Sequence, residues 1–146
     1  MAIVFIAEGV KRPKLNYKNV GFWVKQIVLS YGCIPGDLTY VLCNDTYLLD
    51  INYRFLNHDY FTDIVTFDYC RDKTISGDFF ISIDRVNENS KLYNVAFEDE
   101  LLRVIVHGLL HLFGFKDKSK DEKKLMRELE DNCILIFQKI ENGRFK

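Results

Sequence analysis

One segment of the chain, residues 97–113, is apolar on nearly every side in its C-terminal half, and this constrains the fold more than any other feature. Its sequence, FEDELLRVIVHGLLHLF, has the length and spacing of a helix. A helix that is apolar all round is buried, so we expect this one to run through the core. Gly114 follows at the position where a glycine commonly ends a helix.

Hydrophobic periodicity predicts the elements around this helix. Further helices are expected at residues 16–31, 45–56, 83–93 and 120–139, the second of them capped by Asp45. Strands are expected at residues 3–7, 36–43, 64–69 and 79–83, the last two pairing across a polar loop with Lys73 and Gly77. The pattern predicts an α+β fold, with a mixed sheet of about four strands packed with about five helices.

Length and charge bound the class of protein. A chain of 146 residues, 48% of them hydrophobic, is expected to form a single domain over residues 1–146. Its net charge of −1 attracts neither nucleic acid nor an anionic membrane globally, so a polyanionic partner would need a local patch. The chain starts without a basic signal region and has no run long enough to span a bilayer, which favours the cytoplasm. Four scattered cysteines indicate reduced thiols.

Two of the three histidines, His107 and His111, lie four residues apart in the segment VHGLLHLFGFKD. On a helix this spacing places both side chains on one face, with Cβ atoms about 5–6 Å apart. Two imidazoles so placed can bind one metal ion. The pair alone leaves a second interpretation open, in which two core histidines form hydrogen bonds with the backbone.

Gly114 and Asp117 favour the metal site. A left-handed glycine ends the helix and turns the chain back, which places the Asp117 carboxylate where it can complete the coordination. The pattern HxxxHxxGxxD has the ligand spacing of HExxHxxGxxH zinc enzymes. We therefore predict that His107, His111 and Asp117 bind one Zn²⁺, or another divalent metal, at the C-terminal end of the central helix. Three protein ligands leave a position for water, so the site is predicted to be catalytic.

Gly108 stands where a zinc peptidase carries the glutamate that acts as its base, so peptide hydrolysis by that mechanism is disfavoured. A phosphodiester demands less of the protein, because a metal can polarise the phosphoryl oxygen and present hydroxide itself. The negative charge of Asp117 would make the bound water somewhat less acidic than a third histidine would. The pattern indicates a hydrolase of phosphodiesters.

A lysine-rich tract, KDKSKDEKK, follows the predicted site and includes Lys116 and Lys118. With Asp117 neutralised as a ligand, these lysines would form a basic rim able to hold phosphates. The alternative interpretation is a solvated turn and helix start without a ligand.

Three segments together resemble the YbeY family of metal-dependent endoribonucleases: HGLLHLFGFKD, TDIVTF (residues 62–67) and GDFFIS (residues 77–82). The resemblance covers residues 48–130 and is weaker before them. It implies an α+β fold, a zinc ion in a groove and cleavage of single-stranded RNA. It further implies a role in ribosomal RNA maturation at the 3′ end of the small-subunit RNA, association with the small ribosomal subunit, and ribosome quality control.

The chain departs from the family's pattern at two places. Asp117 stands where the family usually has its third histidine ligand, and Lys116 replaces the usual aspartate beside it. Leu56 stands where the family has an arginine regarded as important for activity. Arg54 and His58, two positions to either side of Leu56, are therefore the candidates for RNA contact on this segment, in addition to Lys116 and Lys118.

Other functions remain open from the sequence. Two histidines and one carboxylate also bind iron in non-haem oxygenases, although those ligands usually lie on strands. A non-enzymatic ribosome-associated factor, in which a metal only fastens the helix end to the following loop, would be consistent with the missing arginine. Glu100 lies about 10 Å along the helix from His107, too far to be a ligand. It would support the site indirectly or favour the helix N-terminus through its charge.

Overall fold

The computed structural model describes residues 2–144, in which an N-terminal part of alternating strands and helices is followed by two consecutive strands and three consecutive helices. The strands are β1 (Ile3–Ala7), β2 (Ile34–Cys43), β3 (Ile64–Asp68) and β4 (Thr74–Ser82). The helices are α1 (Tyr17–Ser30), α2 (Asp45–Leu56), α3 (Ile83–Leu92), α4 (Phe97–Leu112) and α5 (Lys120–Glu141).

The sheet has the strand order β1-β2-β4-β3. The pairs β1 with β2 and β2 with β4 are parallel, whereas β3 pairs antiparallel with β4 and places Ile64 opposite Ile81. The pairing of β3 with β4 as neighbours is confirmed, as is the α+β class with a mixed sheet of four strands and five helices.

Helix α4 is the central helix, as its all-round apolar sequence predicted. It packs on β3 and β4 and also contacts α3 and α5. Leu101, Ile105 and Leu109 on α4 are completely buried. Because side chains alternate across a strand, Phe79 and Ile81 of β4 face this core, while α2 covers a smaller apolar cluster on the opposite face. The C-terminal end of α4 therefore emerges from the core beside β3.

Strand β4 begins at Thr74, five residues earlier than predicted, and β2 begins two residues earlier. The segment interpreted as a polar loop forms the first half of β4 instead, and its side chains alternate between half-buried and buried. Gly77 lies within this strand, opposite Leu38 of β2 and Asp68 of β3, and a Cβ there would lie 2.6 Å from the carbonyl oxygen of Phe67 on β3. Its lack of a side chain permits the close pairing of the two strands.

The capping residue of α2 is Asn44, so the prediction of Asp45 was wrong by one position. The side chain of Asn44 accepts a hydrogen bond from the Tyr47 N–H at 2.8 Å. The carboxylate of Asp45 has other partners: it accepts from the Ser82 hydroxyl at 2.6 Å and from the Arg85 guanidinium at 3.1 Å. These contacts join the start of α2 to the start of α3.

All four cysteines are free, and Cys43 and Cys133 are buried, as their scattered positions predicted. Within residues 2–144, no helix combines the length and the apolar character needed to cross a membrane.

Candidate metal centre

His107 and His111 lie one turn apart on α4 and project from the same face, beside the loop that follows the helix. Their Nε2 atoms are 3.0 Å apart. The carboxylate of Asp117 faces both of them, with 3.2 Å from Oδ2 to His107 Nε2 and 3.6 Å from Oδ1 to His111 Nε2. All three side chains are partly exposed. The residues selected by spacing alone therefore converge in space.

The turn after α4 brings Asp117 back to the histidines. Gly114 has a φ of +100°, a conformation that glycine adopts readily, and its N–H donates to the carbonyl of His111 at 3.0 Å. The chain then reverses, and the carbonyl of Phe115 accepts a hydrogen bond from Nδ1 of His111 at 2.8 Å. The predicted glycine turn is confirmed, and it also orients one of the imidazoles.

The hydrogen bonds of the two rings test whether the site fits a cation. A carbonyl oxygen only accepts, so Nδ1 of His111 carries a proton. Nδ1 of His107 donates in the same way to Glu130 Oε2 at 2.7 Å. In the neutral form of the rings, both Nε2 atoms direct lone pairs at each other and at the Asp117 carboxylate. Either a proton on one Nε2 or a cation between the three groups offsets this repulsion, and two imidazole nitrogens with one carboxylate oxygen suit zinc and related divalent ions.

Glu130 on α5 is a site residue that the sequence interpretation missed. It is only 5% exposed, and it accepts hydrogen bonds from His107 and, at 2.9 Å, from Nη1 of Arg103. The other side of that guanidinium donates to Asp131 at 2.7 Å. A signal was present in the sequence, because Glu130 stands at helical spacing between the buried residues Met126 and Cys133. A carboxylate on a core stripe implies a buried partner.

These partners set the electrostatics of His107. Burial lowers the pKa of the imidazole, but the hydrogen bond and charge of Glu130, with the carboxylates of Asp117 and Asp63, outweigh it and raise the pKa above its usual value. Protons therefore compete with a metal ion for Nε2 more strongly as the pH falls.

Two cavities meet at the candidate metal centre. The first, which we name the α4–α5 cavity, has a volume of about 330 Å³ and extends from the site along α4 towards Glu100 and Arg127. The second, the α2–β3 groove, has a volume of about 350 Å³ and extends towards the end of α2. Both cavities are lined by Asp63, His107 and Asp117. A ligand at the centre can therefore extend in either direction.

Asp63, at the entry to β3, was not singled out from the sequence although it lies within the segment TDIVTF. Burial raises the pKa of its carboxyl, while His107 acts in the opposite direction. Its backbone carbonyl accepts from the Ser82 N–H at 2.9 Å, which fixes the position of the residue against the end of β4.

The candidate RNA contacts are placed differently. His58 lines the α2–β3 groove, because α2 ends at Leu56 and Asn57 adopts a left-handed φ of 56°. Its Nδ1 is 3.0 Å from the hydroxyl of Tyr60. Leu56 lines the same groove, whereas Arg54 is exposed and paired with Asp50 at 3.4 Å.

Lys116 and Lys118 are exposed on either side of Asp117 and are not among the residues that line the two cavities. Lys123, from the same lysine-rich tract, does line the α4–α5 cavity.

Any side chain at Gly108 would have to displace the side chains of Ile64 and Phe79. An added Cβ would lie 2.7 Å from Ile64 Cδ1 and 2.8 Å from Phe79 Cδ1. The helix is packed directly on β3 and β4 at this point. The packing therefore disfavours a glutamate acting as catalytic base at position 108, in addition to its absence from the sequence.

The protein is an α+β protein with a candidate metal centre of two histidines and one carboxylate at the end of its central helix. Comparisons with known proteins identify its family. The family model described as Endoribonuclease YbeY matches residues 11–138. Proteins named Endoribonuclease YbeY from Porphyromonas gingivalis and Bacteroides thetaiotaomicron are 45% and 42% identical over 136 residues. These alignments cover 93% of this chain and 90% and 99% of the two relatives.

A solved structure agrees with this assignment. The solution structure of a protein from Thermotoga maritima superimposes with a TM-score of 0.60 at 27% identity, covering 90% of this chain and 89% of that one. The chain belongs to the YbeY family of endoribonucleases, as the segment HGLLHLFGFKD with its upstream strands predicted.

Proposed function

We propose that this chain, over residues 1–146, is a cytoplasmic, metal-dependent endoribonuclease specific for single-stranded RNA. We further propose that it matures ribosomal RNA at the 3′ end of the small-subunit RNA, acts on the small ribosomal subunit, and takes part in ribosome quality control. The observation that carries the proposal is the convergence of His107, His111 and Asp117 at the junction of two open cavities, in a chain of an endoribonuclease family.

His107, His111 and Asp117 would hold one divalent ion, for which zinc is our first assignment. When bound there, such an ion supplies a Lewis acid for the phosphoryl oxygen and a water activated for attack on the phosphodiester. Phe115 and Glu130 hold the two imidazoles by their Nδ1 protons, so the Nε2 atoms point into the site without reorganisation.

The arrangement of the two cavities favours a polynucleotide chain over a small molecule as the substrate. Because both open onto the centre, a strand can lie with its scissile phosphate at the ligands and a nucleotide on each side. Lys123 and Arg127 at the α4–α5 cavity attract phosphates locally, which the net charge of −1 does not do globally.

Elemental analysis combined with RNA cleavage tests this proposal. Wild type should retain about one equivalent of metal and cleave a small-subunit RNA precursor, whereas His111→Ala and Asp117→Ala should lose both properties. Asp121→Ala is the matched control, because that exposed carboxylate lies four residues beyond Asp117 and lines neither cavity. Full cleavage by either ligand variant would refute the assignment of the site.

A second candidate function is a ribosome-associated factor without catalytic activity. It is favoured by the α2–β3 groove, where Leu56 occupies the place of the family's arginine and no lysine or arginine is among the described lining residues. Wild type that binds metal and RNA, but cleaves under no divalent ion, would support this function over the endoribonuclease.

A further inference from the structure

The α4–α5 cavity contains a buried carboxyl that the proposed metal chemistry does not use. Glu100 is 6% exposed and lies on the face of α4 that also carries Arg103, Val104 and His107. Within residues 2–144, no hydrogen bond or ion pair within 4 Å reaches its carboxylate, although the charges of Arg103 and Arg127 act on it from a greater distance. Every fully buried side-chain oxygen or nitrogen in that range has a partner, so the Glu100 oxygens must be open to the cavity.

A role at the helix N-terminus does not account for this burial. Glu98 and Asp99 also lie in the first turn of α4, and both are exposed, where they can interact with the helix dipole at little cost. Burial and the nearby Asp63 carboxyl raise the pKa of Glu100, so keeping it in this position costs stability. An acceptor retained at such a cost is positioned for a ligand that donates hydrogen bonds.

The surroundings of Glu100 exclude several classes of ligand. Among the described residues, the only group of three or more histidine, cysteine and acidic residues whose ligand atoms all lie within 4.8 Å of one another is His107, His111 and Asp117, so the carboxylates near Glu100 do not form a second such group. An anion in contact with the Glu100 carboxylate itself would be repelled, while Arg103, Lys123 and Arg127 elsewhere on the cavity wall suit the phosphate of a nucleotide. An apolar ligand would leave the carboxyl unpaired.

The cavity has the size and walls expected for a nucleobase. Its volume of about 330 Å³ is at the lower end of the range for small-molecule sites, far larger than an ion needs. Val104 and Met126 give it apolar walls, and Tyr93, which is 54% exposed, places an aromatic ring at its edge. Aromatic rings stack on bases of any sequence, and a carboxylate can then select among them by its hydrogen bonds.

We propose that the α4–α5 cavity binds a guanine base, with Glu100 accepting hydrogen bonds from its N1–H and 2-amino groups. Guanine is the base whose pairing edge offers two adjacent donors, and the two oxygens of one carboxylate can accept both. Adenine, cytosine and uracil each offer one donor group on that edge. Glu100 is about 10 Å along α4 from His107, a distance that a nucleotide flanking a phosphate at the centre can span.

This inference rests on the proposed function insofar as the base belongs to an RNA strand; a free guanine nucleotide has the same recognition chemistry. The test uses the full chain loaded with zinc and labelled 2′-O-methyl RNA pentamers of uridine with one central guanosine, inosine or uridine. Binding is measured by fluorescence anisotropy. Guanosine 5′-monophosphate, as an unlabelled competitor, distinguishes a free nucleotide from a base within a strand.

Wild type should bind the guanosine pentamer about tenfold more tightly than the uridine pentamer. Inosine lacks the 2-amino group and should lose most of that gain. Glu100→Gln places an amide donor against the guanine donors and should abolish the preference, whereas Glu98→Gln, outside the cavity, should retain it. Tyr93→Ala should weaken all pentamers alike, and Tyr93→Phe should not.

Equal binding of all pentamers by wild type, or a guanine preference that survives in Glu100→Gln, would overturn the inference. If RNA is cleaved without base preference, the guanine site is refuted while the proposed function stands. If guanosine monophosphate binds in a Glu100-dependent manner but RNA is neither bound nor cleaved, the guanine site stands and the proposed function fails. A circular dichroism melt of each variant confirms that it is folded.

Discussion

Replacing Glu130 by glutamine tests how much the candidate metal centre depends on the carboxylate behind His107. The substitution keeps the size of the side chain and one acceptor oxygen, but removes the charge that His107 and Arg103 both contact, at 2.7 and 2.9 Å. Partners of this kind typically change metal affinity about 10- to 100-fold when they are lost. That range corresponds to about 1.4–2.7 kcal/mol. Because Glu130 is 5% exposed, water has little access to replace it.

The measurement is a zinc dissociation constant, obtained by competition with a chromophoric chelator, so that it does not depend on enzymatic activity. Asp131→Asn is the matched control, since Asp131 contacts the other side of the Arg103 guanidinium at 2.7 Å and does not contact His107. We expect Glu130→Gln to bind zinc at least tenfold more weakly and Asp131→Asn to match wild type. Unchanged affinity in Glu130→Gln, or an equal loss in both variants, would refute the reasoning.

Two further substitutions test the packing and the electrostatics around the site. Gly108→Ala should destabilise the fold by about 1–3 kcal/mol in thermal melts, because its Cβ would lie 2.7 Å from Ile64 and 2.8 Å from Phe79. Gly21→Ala is the control, because its Cβ would lie 4.0 Å from Phe5 and it should raise the free energy of unfolding by up to about 1 kcal/mol. Equal stability of the two variants would contradict this account. Burial raises the pKa of Glu100, so the folded state binds its proton more tightly than the unfolded state and loses stability as the pH rises through that pKa. Glu100→Gln should therefore gain stability relative to wild type as the pH rises from 4 to 7, measured by thermal melts; a difference that does not change with pH would contradict the sign.

The part of the site that could be predicted from the sequence is the part that local geometry determines. His107, His111 and Asp117 lie within eleven residues, and the helical repeat with the Gly114 turn is enough to bring them together. Glu130 reaches His107 from 23 residues away, through the packing of α5 on α4, which no local pattern specifies. Its position on an apolar stripe indicates a buried partner but does not identify it.

The differences in the fold have a similar origin. Strand β4 was predicted too short because Thr74, Ser76 and Gly77 resemble loop residues, yet parallel pairing with β2 and antiparallel pairing with β3 hold them in the sheet. The close approach of the Phe67 carbonyl explains the glycine only after the pairing is known. Strand bounds thus depended on neighbours that are distant in sequence, whereas the long periodic helices were placed within one or two residues.

Asp117 and Arg103 have to be considered together when the charge of the centre is counted. Two neutral imidazoles and the Asp117 carboxylate carry one negative charge, so a divalent ion would leave one positive charge facing a phosphodiester, where three histidines would leave two. Glu130 would cancel the remaining charge if it were unpaired, but its second oxygen binds the Arg103 guanidinium at 2.9 Å. Arg103 offsets the charge of Glu130 only in part, because its guanidinium also donates to Asp131 at 2.7 Å. With the guanidinium divided between two carboxylates, the attraction for a phosphate would come from a bound ion and from Lys123 and Arg127 at the α4–α5 cavity rather than from the groups behind His107.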